Sequence, residues 1–139
     1  VTRQIAIVDT GPLFAAADPD APMHKRCAAI LRRGDITPVV PVMVIAEATY
    51  FIESRIGPKA EAAFLRGITE LEIESPTAGD WVRIAELVEQ YADLELGGTD
   101  ASVVATAERL NAPAVITLDR KHFSVVRPRH VDTLTLLPE

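Results

Sequence analysis

Two short, mainly apolar runs in the sequence each end on an aspartate. Ile5-Ala6-Ile7-Val8 runs into Asp9, and Ala114 to Leu118 runs into Asp119. A strand with apolar residues at both odd and even positions buries both of its faces, which is the habit of parallel sheets covered on two sides. Asp9-Thr10-Gly11-Pro12 ends the first run as a turn does.

The rest of the chain alternates between the two kinds of element. Thr37 to Val40 and Thr133 to Leu137 read as further strands, and Leu71 to Glu74, with apolar and acidic residues in turn, as an edge strand. Helical spacing covers Leu13 to Ala17, Met23 to Arg33, Val42 to about Ile56, Lys59 to Glu70, Asp80 to about Tyr91 and Asp100 to Leu110. In this scheme Asp80 is an N-cap, Trp81 and Ile84 face the core, and Val103, Val104, Ala107 and Leu110 form a buried stripe. Cys27 falls on the apolar face of its helix as a small core residue. Strands alternating with helices predict an α/β fold on a parallel sheet. The 139 residues suit one domain, residues 1–139. One cysteine permits no internal disulfide and fits a reducing cytoplasm. No apolar run approaches the roughly 18 residues of a membrane span, so the expectation is a soluble cytoplasmic protein with no membrane partner.

In open parallel sheets ligands bind beyond the carboxyl ends of the strands, where strand order reverses. Asp9 and Asp119 both fall at such ends, although Asp also favours turns and caps for its own sake. Glu47 lies in a helix apolar nearly all round, Val42 to Ile52, where a buried carboxylate needs a partner. It otherwise faces solvent on a narrow strip with Tyr50, or pairs with a basic residue. Asp100 opens a helix after Gly97-Gly98, which admits a close backbone approach but equally suits a carboxylate at a helix N-terminus. If Asp9, Glu47, Asp100 and Asp119 converge, repulsion must be relieved. Two like charges about 4 Å apart cost roughly 4 kcal/mol at an effective dielectric near 20. Protons or a divalent cation would relieve it, and oxygen ligands favour Mg²⁺ or Mn²⁺. Such an ion polarises a phosphoryl oxygen and activates water for phosphodiester hydrolysis.

The net charge of −6 and the 5% aromatic content argue against tight non-specific nucleic-acid binding and against a base-stacking platform. They do not exclude a nuclease, because four of the acids are those that would hold its metal.

Ile5-Ala6-Ile7-Val8-Asp9-Thr10, Val44-Ile45-Ala46-Glu47, Thr99-Asp100-Ala101-Ser102 and Thr117-Leu118-Asp119-Arg120-Lys121-His122-Phe123 together resemble a PIN-domain ribonuclease. The size and layout are most similar to the VapC-type toxins of bacterial toxin–antitoxin pairs. The resemblance spans Ile5 to Phe123. It implies a three-layer sandwich, a five-stranded parallel sheet flanked by helices. It also implies Mg²⁺- or Mn²⁺-dependent endoribonuclease activity on structured RNA such as tRNA, rRNA or mRNA, a homodimer, and a cognate antitoxin. Carried over, Asp9 and Asp100 are the principal metal ligands, Asp119 contributes directly or through water, Glu47 orients or deprotonates the attacking water, and the Thr117 hydroxyl supports the cluster.

Outside those motifs, His24, His122 and His130 lack a metal-binding spacing and read as structural or surface residues. Arg120, Lys121, Arg127 and Arg129 follow the fourth acid and are candidates for phosphate contact or for a solvated loop. Two other functions compete: phosphoryl transfer through an aspartyl phosphate on Asp9, and a catalytically silent binding module in which the acids only cap helices. The first would usually show a second acid where Gly11 stands.

Overall fold

The computed structural model describes residues 3–139. Five strands, β1 (Gln4–Val8), β2 (Ile36–Pro41), β3 (Glu72–Glu74), β4 (Ala114–Ile116) and β5 (Thr135–Leu137), form one sheet in the order β3-β2-β1-β4-β5. Every pairing is parallel. Seven α-helices among the described residues flank it: α1 (Thr10–Ala17), α2 (His24–Leu31), α3 (Val42–Arg55), α4 (Pro58–Gly67), α5 (Ala78–Gln90), α6 (Gly98–Leu110) and α7 (Arg120–Val125). The α/β class and the five-stranded parallel sheet match the expectation.

The apolar runs behave as their composition demands. Ala6, Ile7, Val8, Val115 and Ile116 are all fully buried, which the central positions of β1 and β4 require. β2 and β4 lie on opposite sides of β1, so the order of strands reverses there. The carboxyl ends of β1 and β4 open on one crevice. The Asp9 amide donates to the Ile116 carbonyl at 2.9 Å, and the Thr117 amide to the Leu137 carbonyl at 2.8 Å. These bonds carry the ladder just past the strands, leaving Leu118 outside β4 and exposed.

α6 packs against β1, β2, β4, α3 and α5, and its residues from Ala101 to Ala107 are all buried. Its two polar positions satisfy themselves on their own helix. Ser102 donates to the Thr99 carbonyl at 2.6 Å and Thr106 to the Ser102 carbonyl at 2.7 Å. α5 is held to α6 by a two-pronged ion pair, Arg83 to Glu108 at 2.8 and 2.9 Å.

Three expectations are corrected in this region. Asp80 is not the N-cap of α5. Thr77 is, and Asp80 sits three residues on, closing a reciprocal capping box and pairing with Arg109 at 2.8 Å. Trp81 is not in the core but 51% exposed. The buried stripe runs through Asp80, Ile84 and Leu87, one position round the helix from the face expected. α3 is not enclosed on all sides either, since only Val44, Ala48 and Ile52 of it are buried. Cys27 is a buried free thiol, as expected.

Candidate active site

Asp9 ends β1 in extended backbone, at the capping position of α1, yet its side chain caps nothing. Its carboxylate instead turns into the crevice, where Oδ2 accepts from the Thr117 hydroxyl at 2.8 Å. The same hydroxyl oxygen accepts from the Asp119 amide at 2.9 Å. Thr117 thus ties the two strand-end aspartates together. Asp119 caps α7, accepting from the His122 amide at 3.0 Å. Asp100 enters from the first turn of α6 and Glu47 from α3. All four acids line one cleft of about 740 Å³.

The electrostatics follow from this crowding. Asp9 is 5% exposed, and its pKa is raised from 3.8 to about 6, first by burial and then by the charge of Asp100. The Asp100 carboxyl is pushed up as well, by burial first and by Asp119 next, while His122 opposes the shift. The His122 ring stands between two carboxylates, its Nδ1 2.7 Å from Asp119 Oδ2 and 3.2 Å from Asp100 Oδ2. Its Nε2 lies 3.0 Å from the Leu94 carbonyl oxygen. Both ring nitrogens face oxygens.

Among the described residues, Asp100, Asp119 and His122 offer ligand atoms within 4.8 Å of one another. Asp9 stands beside this group and feels the charge of both its aspartates. The Thr10 hydroxyl, on a residue 6% exposed that also lines the cleft, has no hydrogen-bond partner. Clustered carboxylate oxygens with an unpartnered hydroxyl beside them fit a hard divalent ion and its water better than they fit a dry core.

The sequence matches the family of PIN domains over residues 6–127. The chain belongs to the PIN-domain family. Over 134 residues, 95% of this chain and 99% of the relative, it is 33% identical to the ribonuclease VapC26 of Mycobacterium tuberculosis. The crystal structure of M. tuberculosis VapC20, described as a sarcin–ricin-loop-cleaving toxin, superposes with a TM-score of 0.75 at 18% identity, covering 85% of this chain and 92% of that one. VapBC2 of Rickettsia felis, solved with a fragment of promoter DNA, gives 0.68 at 19% identity over 96% and 97%. The kinship with VapC proteins expected from the four motifs is borne out.

Within this PIN domain the structure brings Asp9, Glu47, Asp100, Asp119 and Thr117 together. It also supplies residues that the sequence reading passed over. His122 is corrected from a structural or surface residue to a neighbour of two site acids. Asp119 stands only three residues before it, but Asp100 lies on α6, and no His-rich spacing announces that contact. Glu95 lines the cleft from a left-handed backbone conformation, φ 59. Arg55 reaches the cleft from the end of α3. Its signal was present, because Glu47, Phe51 and Arg55 recur every four residues and so share one helix face.

The basic residues after Asp119 do not line the cleft. Arg120 donates to the Pro138 carbonyl, Arg127 to the carbonyls of Ser124 and Val125, and Arg129 pairs with Glu86.

Proposed function

We propose that this PIN domain is a Mg²⁺- or Mn²⁺-dependent endoribonuclease, the toxin of a cytoplasmic toxin–antitoxin pair that inhibits translation and growth when its antitoxin is absent. The observation that carries the reading is the meeting of Asp9, Glu47, Asp100 and Asp119 in one cleft, on a chain one-third identical to a protein named a ribonuclease. Asp9, Asp100 and Asp119 would hold the divalent ion. When bound, it supplies neutralising charge and Lewis acidity toward a phosphodiester.

The chain's own residues do the remainder. Thr117 holds the Asp9 carboxylate through Oδ2, and the Thr10 backbone amide also hydrogen-bonds to it. His122 fixes Asp119 and Asp100 relative to each other. Glu47, half-buried and with no shared hydrogen bond to the other acids, is free to orient water toward the scissile phosphorus and to take its proton. An antitoxin partner is supported by the toxin–antitoxin assemblies named for similar structures from R. felis and Klebsiella pneumoniae. A homodimer follows the same family pattern.

Purified protein should cleave RNA with Mg²⁺ or Mn²⁺, lose activity to EDTA, and fall at least about a hundredfold in rate in Asp100→Asn, as removal of a main electrostatic element does. Circular dichroism should find that variant folded. Glu47→Gln should lose cleavage without loss of stability. Full cleavage by folded Asp100→Asn would remove the acids from the chemistry, and mapped RNA ends after brief expression would identify the substrate.

A further inference from the structure

We propose that Arg55, stacked on Phe14 and Phe51 at the edge of the acidic cleft, grips the RNA phosphate next to the one being cleaved. The proposal rests on the ribonuclease reading above. Glu47, Phe51 and Arg55 stand one above another on α3, and Thr10 and Phe14 stand likewise on α1. All five line the cleft. The Arg55 guanidinium carbon lies 4.7 Å from the Phe51 ring centre and 5.5 Å from that of Phe14. Both rings are one helical turn, about 6 Å along the axis, beyond Glu47 and Thr10. The cation is therefore displaced from the acids by a step that suits a neighbouring phosphate rather than the scissile one.

Arg55 is exposed, and among the described residues it forms no ion pair and no hydrogen bond; the two rings are what hold it. Carboxylates are close at hand, since Asp9, Glu47, Glu95, Asp100 and Asp119 line the same cleft. The two rings hold the guanidinium carbon in place, and its N–H groups, engaged by no acceptor among the described residues, form a fork that matches two phosphate oxygens. An RNA entering this cleft meets mainly negative charge. A divalent ion offsets that repulsion at the scissile group, and a fixed cation one turn away offsets it for the flanking phosphate. Arg120, Arg127 and Arg129 direct donors to carbonyls or to Glu86 and stand outside the cleft. The unpartnered, buried Thr10 hydroxyl in the same cleft independently marks room for a polar ligand.

The test measures binding of a labelled single-stranded RNA of mixed sequence by fluorescence anisotropy across a KCl series without divalent ion, alongside Mn²⁺-dependent cleavage of cellular RNA. Arg55→Gln should bind several-fold more weakly, and its plot of log affinity against log salt should be shallower by about 0.7, the value of one single-strand phosphate contact. Its cleavage should show a raised KM with kcat near the parent's. Arg55→Lys should restore the salt slope but only part of the affinity, and it carries the test if Arg55→Gln does not fold. Parental slope, affinity and KM in Arg55→Gln, or parental affinity in Arg55→Lys, would overturn the proposal. A lowered melting temperature with an unchanged slope would make Arg55 a staple between α1 and α3. Weakened binding of a protein partner alone would make it a contact for that partner. If the parent cleaves and Arg55→Gln matches it, this proposal fails alone; if the parent neither binds nor cleaves RNA, the ribonuclease reading fails and takes this proposal with it.

Discussion

Asp9 bears the largest electrostatic burden in the molecule. Its carboxyl titrates at about 6 in the folded chain against 3.8 for an ordinary aspartate. Between those values the folded state holds a proton that the unfolded state has released, so stability falls as pH rises from about 4 to about 6 and the penalty persists above that. The shift corresponds to at most about 3 kcal/mol. In EDTA, Asp9→Asn should therefore raise the melting temperature near neutral pH and change it little near pH 4. The asparagine oxygen can still accept from Thr117, so a lowered melting temperature at neutral pH would mean that Asp9 is held by something other than the contacts described here. Asp100 moves in the same direction with Asp119 behind it.

At the scale of elements, what could be read from the sequence depended on whether one segment held the whole signal. The apolar runs of β1 and β4 state their own burial, and the aspartates that end them lie at the cleft by topology. The face of α5 was misread because the sequence shows Trp81 as apolar bulk, whereas Asp80 takes the inward position through Thr77, three residues before it, and through Arg109 on another helix. The short helix α7 went unread for the same reason. It is anchored by the buried Phe123 and capped by Asp119, and neither its six residues nor its charge carries a periodic pattern. Only that helix explains how His122 reaches Asp100. The α5 cap can be tested separately from the chemistry. Thr77→Ala should cost about 1 kcal/mol in urea unfolding. Asp80→Ala should cost about 2 kcal/mol, because a charged hydrogen bond to Arg109 goes as well. RNA cleavage per folded molecule should stay at the parental level in both, and a loss of rate in Thr77→Ala would tie α5 to the site.

For the molecule as a whole, the acidic cleft couples ligand binding to folding. Neutralising the cluster stabilises only the folded chain. An ion at a hundred times its dissociation constant adds about 2.7 kcal/mol, which is several degrees of melting temperature at this size. Mn²⁺ should therefore raise the melting temperature of the parent and raise that of Asp100→Asn much less, read by calorimetry at neutral pH. Equal shifts in the two proteins would place the ion elsewhere. No helix among the described residues is long and apolar enough to cross a membrane. The hydrogen bond between Thr117 and Asp9 spans 108 positions of sequence, and that separation has a consequence for biosynthesis. A chain still being made on the ribosome carries Asp9 long before it carries Thr117, Asp119 and His122. The cleft does not exist until those residues have left the exit tunnel and β4 has inserted beside β1, so the four acids cannot act together before that point.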